Sequence, residues 1–289
     1  MKDFTMDASS SLLEPATKVG VEMRSIFPLQ KMAGNVDAWS REYQSNRPYP
    51  HIGIDDFFDP NLIADLVRDY PGVSNSAWKR ASFDPQHEEE KLSLDRIDDL
   101  PLSIRNVVLA LGSPLFLNFL ERLTGIPGLI PDPYLAGGGL HMLPRGGRLG
   151  IHADFNMHEK LNLDRRLNLL LYLNQNWKSE WGGELELWDE DVKTKVKGYL
   201  PIANRVVVFS TTDTAFHGHP NPLECPKGTY RKSIALYYYT NGRPADERSK
   251  AHTTLFRDRP GEANTTSKAR QVARQLTPPI IWDIARRLK

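Results

Sequence analysis

The sequence predicts a mainly β protein of the α+β class, laid out as helices first, a β core second and a helical tail third. Three observations carry this. From about residue 131 to 240, short alternating segments are separated by Gly, Pro, Asn and Asp: 134–143, 148–155, 167–174, 184–188, 205–209, 215–219 and 230–240. Strands this short at this spacing build a sandwich, jelly roll or small barrel rather than βαβ units. Upstream, Asp59-Pro60 and Ser113-Pro114 read as helix starts, with a capping side chain followed by proline at the first helical position. Finally, 40% hydrophobic and 25% charged residues over 289 are enough for a sizeable core.

Taken in order, residues 1–47 are polar and weakly periodic, with a helix over 36–43. The prolines of Arg47-Pro48-Tyr49-Pro50-His51 force extended backbone, and Ile52-Gly53-Ile54 follows as a short strand. After Asp59-Pro60, Leu62, Ile63, Leu66 and Val67 line one helical face until Pro71-Gly72. Residues 74–98, with Glu88-Glu89-Glu90-Lys91, read as a solvated loop, or more sharply as a lid. Two helices follow. The second buries Leu115, Phe116, Phe119, Leu120 and Leu123 and closes at Gly125. In the β region, Leu185 and Leu187 alternate cleanly with Glu184 and Glu186. The tail ends in a helix from Thr277-Pro278-Pro279 to Leu288.

Charge and cysteine content narrow the function. Lys plus Arg number 37 against 36 Asp plus Glu, so no global field favours nucleic acid or an anionic membrane. The single cysteine, Cys225, forms no intramolecular disulfide and has no base motif beside it. The first twenty residues hold no apolar run of signal length, and a cytoplasmic location is expected.

Chemistry points to histidine, of which there are eight. His152 begins a His-x-Asp triplet with Asp154, and on a strand i and i+2 share a face. Such a triplet is expected by chance roughly 0.4 times in a chain like this. Its company raises it. Phe216-His217-Gly218-His219-Pro220 offers a further nitrogen ligand, and Arg231 and Ser233 share a face of the last strand. Two imidazoles and a carboxylate in facial arrangement suit non-haem Fe(II) and leave three positions open. An arginine on the same lining would grip a distal carboxylate bidentately. His217 and His219 lie two apart, so spacing does not choose between them.

The stretch 134–240 resembles the Fe(II)- and 2-oxoglutarate-dependent dioxygenases of the prolyl 4-hydroxylase-like branch. The carrying residues are Gly-Gly-Arg-Leu-Gly-Ile-His152-Ala-Asp154-Phe, Arg166-Leu-Asn-Leu-Leu-Leu-Tyr172-Leu-Asn174, Trp181-Gly182-Gly183-Glu184-Leu185, His217-Gly-His219-Pro and Arg231-Lys-Ser233. Pro48 to Phe58 looks like the strand that opens many of these enzymes. The resemblance implies a double-stranded β-helix (a cupin-like jelly roll), with N-terminal helices packed on one sheet and a C-terminal helix. It implies a partly helical extension over 1–47, a dioxygenase domain over 48–258 with its core at about 131–240, and a tail over 259–289.

The resemblance also implies hydroxylation of an unactivated C–H bond in a peptide or small molecule, coupled to conversion of 2-oxoglutarate to succinate and CO2. Fe(II), 2-oxoglutarate and O2 are the expected cofactors, with ascorbate as accessory reductant. His152, Asp154 and His217 would ligate iron, the family spacing favouring His217 over His219. Arg231 would hold the far carboxylate of 2-oxoglutarate, with Tyr172 and Ser233 beside it. Asp154 itself favours hydroxylation or desaturation over halogenation, which needs that position open.

Blander expectations accompany these. His219 would line the pocket, His158 would be a surface histidine, and His141 is evenly poised between site and core. Gly182-Gly183 would be a turn, and Phe209, Tyr237 and Tyr239 core aromatics. Arg165 and Arg166 suggest an acidic or phosphorylated substrate. A zinc hydrolase using the same three residues, or a non-catalytic jelly-roll module, are the competing readings; the second predicts that the three do not converge.

Overall fold

The computed structural model describes residues 25–80 and 88–261. The C-terminal helix expected over 277–288 lies outside the described residues, as do residues 1–24. Helices α1 (Leu29–Ser45), α2 (Pro60–Asp69), α3 (Leu102–Leu111) and α4 (Pro114–Thr124) precede most of the strands. The two predicted starts have the predicted chemistry. Asp59 accepts from the Asn61 amide, and Ser113 accepts from that of Phe116. Gly125 ends α4 in the left-handed region at φ 75°.

The strands are β1 (His51–Ile54), β2 (Lys79–Arg80), β3 (Glu88–Glu89), β4 (Leu92–Leu94), β5 (Ile130–Pro131), β6 (Gly139–Leu143), β7 (Arg148–Ala153), β8 (Asp164–Tyr172), β9 (Leu185–Trp188), β10 (Lys195–Tyr199), β11 (Val206–Ser210), β12 (His217–His219), β13 (Arg231–Thr240) and β14 (Leu255–Phe256). They form two sheets. The larger has the order β1-β11-β8-β13-β6-β4-β2, with β5 beside β13. The smaller has the order β10-β9-β12-β7-β14, with β3 beside β7. All of these pairings are antiparallel, and the two sheets form the double-stranded β-helix.

Period-two alternation decides which side chains enter the space between the sheets. On β13, Ile234, Leu236 and Tyr238 join the main core with the helices, leaving Arg231, Ser233, Ala235, Tyr237 and Tyr239 on the opposite face. On β8, Leu167, Leu169 and Leu171 face the helices, while Asn168, Leu170 and Tyr172 face inward. Inside, Tyr49, Tyr172, Leu185, Leu187, Tyr199, Val207, Phe209 and Ala215 make a second apolar cluster. With both faces buried, these strands read as near-continuous apolar runs.

Several expectations change. The N-terminal helix runs from Leu29 to Ser45, longer than 36–43, and Phe27, Met32, Val36 and Tyr43 belong to the main core. Helix α1 therefore packs into the same core as the larger sheet. The loop at 74–98 carries β2, β3 and β4, and Leu92 to Leu94 are buried beside β6. Because β3 pairs with the smaller sheet and β4 with the larger, residues 90 and 91 cross between the sheets. Residues 134–138 are turn rather than strand, so β6 starts at Gly139. Outside the 74–98 loop, β5, β10 and β14 had no sequence signal. In β10, Lys195 to Lys197 are exposed, and β14 lies in a polar stretch. No single helix among the described residues is long and apolar enough to cross a membrane.

Candidate active site

His152 and Asp154 leave β7 on one face, as their spacing demands, and β12 lies beside β7 with His217 opposite His152. His152, Asp154 and His217 each offer a ligand atom, and these lie within 4.8 Å of one another. That is the convergence a non-catalytic module would lack. The two imidazole rings stand 4.4 Å apart between centroids. A register shift between His217 and His219 sets His219 opposite Leu149, one step along from the cluster. Register separates two histidines that spacing could not.

Hydrogen bonding fixes the tautomers. Nδ1 of His152 donates to the Gly150 carbonyl at 2.8 Å, and Nδ1 of His217 to that of Ala215 at 2.9 Å. Each ring's proton is therefore on Nδ1, and each Nε2 turns its lone pair inward. The Nε2 atoms lie 3.6 Å and 3.4 Å from Asp154 oxygens. Burial, then the neighbouring His217, holds the His152 imidazole below its ordinary range, against the pull of Asp154. Burial works against ionisation of Asp154, but the Arg165 guanidinium and the two imidazoles outweigh it and hold the carboxyl well below the usual range. Two neutral imidazoles and one carboxylate are a donor set that fits a divalent iron ion with positions to spare.

Arg231, on the inner face of β13, is 5% exposed. Its Nε donates to the Gly183 carbonyl at 2.8 Å, and its Nη2 to the Tyr172 hydroxyl at 3.2 Å. Gly183 has a role beyond a turn. It sits at φ 73°, and a Cβ there would lie 2.6 Å from Leu223 Cδ2 and 3.1 Å from Arg231 Cδ. Burial raises the Tyr172 hydroxyl, partly offset by Arg231, so it stays protonated as a donor. Ser233 is buried opposite Tyr172 and His141 on the neighbouring strands. The structure thus places Arg231, Tyr172 and Ser233 together on the larger sheet, with the His-Asp-His cluster on the smaller one and its margin.

His219 and His141 are buried and held well below their ordinary range. For His219 the causes are burial, then Arg231 and Lys91; for His141, burial and then Lys91. Nδ1 of His219 is buried without a hydrogen-bond partner among the described residues. Both histidines therefore sense the cations of the pocket.

Other expectations are corrected. His158 is 1% exposed rather than on the surface. Its Nδ1 accepts from the Lys160 and Leu161 amides, and its Nε2 donates to Asp132 at 3.2 Å. Arg165 and Arg166 are consumed internally. Arg165 Nη2 pairs with Asp154 at 2.9 Å, and Arg166 Nη2 with Glu247 at 3.1 Å. An anionic substrate cannot be anchored by side chains already spent. Tyr237 and Phe209 are buried but not inert. The Arg165 guanidinium lies 3.5 Å over the Tyr237 ring, and the Phe209 ring is 4.7 Å from that of His217. Cys225 is buried and donates to the Thr229 carbonyl.

The sequence reading missed Asn168, which donates to Asp154 at 2.7 Å. Its signal was available, because 168 and 172 share a face of β8. Phe256 was also missed. Its ring lies 5.4 Å from that of His152, where β14 pairs with β7, and no periodicity marked it. That segment is tied down by Asn156, whose side chain bonds Ser249, Lys250 and the His252 amide.

Fold and site together define a double-stranded β-helix domain of the non-haem iron type. Residues 138–239 match the 2OG-Fe(II) oxygenase superfamily. A stretch of 79 residues is 34% identical to mouse (Mus musculus) prolyl 3-hydroxylase OGFOD1, covering 26% of this chain but only 14% of that relative. Among solved structures, the prolyl hydroxylase from Trichoplax adhaerens, in complex with a hypoxia-inducible-factor peptide fragment, superposes with a TM-score of 0.55. It is 18% identical, over 73% of this chain and 91% of that one. A Pseudomonas putida prolyl-4-hydroxylase is also similar, with a TM-score of 0.47 and 17% identity over 70% of this chain and 98% of that one.

Proposed function

We propose that this protein is an Fe(II)- and 2-oxoglutarate-dependent dioxygenase that hydroxylates an unactivated C–H bond, and that its substrate is an amino-acyl residue in a peptide. The carrying observation is the pairing of two sites on one lining. Three convergent donors, His152, Asp154 and His217, stand with a buried arginine–tyrosine pair, Arg231 and Tyr172. A zinc hydrolase would use the first and leave the second without a purpose.

His152, Asp154 and His217 would hold the iron through Nε2, a carboxylate oxygen and Nε2. When bound, the iron with 2-oxoglutarate and O2 supplies the oxidising chemistry that yields succinate, CO2 and a hydroxylated product. The chain's own contribution is positional. The Gly150 and Ala215 carbonyls fix both imidazoles as lone-pair donors. The Gly183 carbonyl aims the Arg231 fork, leaving Nη1 and the second N–H of Nη2 for the distal carboxylate of the cosubstrate, and the Tyr172 hydroxyl adds a donor. The apolar cluster between the sheets strengthens these charged contacts by excluding water. The peptide reading is supported by what the similar proteins are named for, prolyl hydroxylation in both cases.

The test is succinate formation from 2-oxoglutarate under air, with Fe(II) and ascorbate, across a panel of prolyl peptides, other peptides and free amino acids. A true substrate raises succinate above the uncoupled background and gains about 16 mass units. If no substrate does so, and no 2-oxoglutarate binds anaerobically, the reading fails. Turnover that continues without O2 would favour the hydrolase.

A further inference from the structure

Asp154 is held by more than its strand. Its Oδ2 receives Nη2 of Arg165 at 2.9 Å and Nδ2 of Asn168 at 2.7 Å. The same Arg165 also donates from Nε and Nη2 to Asn168 Oδ1, at 3.1 Å and 2.7 Å, so three side chains close a ring. Arg165 is 1% exposed, with its guanidinium 3.5 Å from the centre of the Tyr237 ring and 4.4 Å from that of Phe155. A buried guanidinium costs several kcal/mol to desolvate, and here Nε and Nη2 are partnered and two aromatic rings lie close to the guanidinium. Arg165 is thereby committed to one place.

Both Asp154 oxygens face the cluster, Oδ1 toward His152 and Oδ2 toward His217. What distinguishes them is what else they do. Oδ2 accepts the Asn168 amide and lies in ion-pair contact with the Arg165 guanidinium, whereas Oδ1 accepts no hydrogen bond among the described residues. This asymmetry matters for the proposed chemistry, on which the inference rests. A carboxylate binding through one oxygen leaves three of six positions, enough for a chelating keto acid and O2. Binding through both oxygens would leave two, enough for the keto acid but none for O2.

We propose that Arg165 and Asn168 are positioning residues that occupy Oδ2 of Asp154 and so hold it as a one-oxygen metal ligand through Oδ1. Metal affinity alone is a poor readout. Removing the arginine's charge strengthens the carboxylate as a donor, and losing its aim weakens it. The position left for O2 once the keto acid is bound is the direct readout. It is seen in the binding of nitric oxide, an O2 surrogate, to the Fe(II)–2-oxoglutarate complex.

The experiment adds nitric oxide anaerobically to the Fe(II) protein at saturating 2-oxoglutarate, and measures the S = 3/2 electron paramagnetic resonance signal of the adduct in wild type, Asn168→Leu, Arg165→Met and Arg165→Lys. Far-UV circular dichroism, iron stoichiometry and the visible charge-transfer band of the chelate are checked in each. Asn168→Leu and Arg165→Met should keep one iron per chain and the band yet lose the nitric oxide signal about tenfold or more. Arg165→Lys, which keeps a charge but not the fork, should fall between them and wild type. Folded Asn168→Leu with a full-strength nitric oxide signal overturns the proposal, and this variant decides alone if Arg165→Met does not fold. Absence of the band in wild type overturns the iron and 2-oxoglutarate reading itself, and the positioning role with it.

Discussion

Replacing Gly183 by alanine separates a role in the turn from a role in the pocket. Gly183 lies at φ 73°, a region that costs a residue with a Cβ about 1–2 kcal/mol. The new methyl would lie 2.6 Å from Leu223 Cδ2 and 3.1 Å from Arg231 Cδ, and overpacking of this kind costs about 1–3 kcal/mol. Together the loss is about 2–5 kcal/mol, a fall of order 10 °C in melting temperature for a domain of this size. The methyl also pushes on the side chain whose Nε bonds the Gly183 carbonyl. An Arg231 moved off its aim should bind 2-oxoglutarate about tenfold more weakly, worth about 1.4 kcal/mol. Gly182 is the control. It too has positive φ, 69°, but nothing lies within 4 Å of its would-be Cβ. Gly182→Ala should lower stability through backbone strain and leave cosubstrate affinity intact. The assays are thermal melts and anaerobic calorimetric titration of 2-oxoglutarate with Mn(II) as a redox-inert metal. Unchanged affinity in Gly183→Ala, or an equal loss in Gly182→Ala, would refute the reasoning.

Further outcomes rest on the same geometry. His217→Ala should abolish stoichiometric Fe(II) binding while His219→Ala retains it, read by metal analysis after gel filtration; the reverse result would reassign the ligand. Arg231→Lys keeps the charge but not the fork, and a lost charge-assisted hydrogen bond of about 1.5–3 kcal/mol predicts about a 10- to 150-fold weaker 2-oxoglutarate Kd. Stability should fall in mild acid. His141 and His51 are both held below the ordinary 6.5, by burial first in each case. The unfolded chain then binds more protons between the folded and unfolded values. Stability is therefore full above about pH 6.5 and declines below it, by about 1.4 kcal/mol per pH unit for each histidine until its folded value is reached. Urea unfolding at pH 7.5, 6.5 and 5.5 measures this, and His51→Gln should flatten the slope.

Much of the fold was legible because local rules were obeyed. Asp59-Pro60 and Ser113-Pro114 are capped starts whose side chains accept the amides expected of them. In the larger sheet, β1, β8, β11 and β13 announced themselves through runs of Ile, Val, Leu and aromatic residues. β10 and β14 did not, since edge strands bury little and carry lysines or polar neighbours. The turn at 134–138 was mistaken for strand because its composition resembles that of β6 beside it.

Residue identity settled which chemistry was on offer: two imidazoles, a carboxylate, a guanidinium and a phenol, with period-two spacing fixing the face each one leaves from. Which of them meet was a matter of tertiary packing. Alternation sets a side chain's face but not the register of the strand beside it. Only the pairing of β12 with β7 sets His217 against His152 and moves His219 along. Arg165 looked like a substrate anchor because its partner Asp154, eleven positions earlier, lies across a loop that spacing rules do not describe. His158 looked exposed for the same reason, its partner Asp132 being 26 residues away. Contacts across loops depend on the whole chain's packing, and they decide whether a charge is free to bind or already spent.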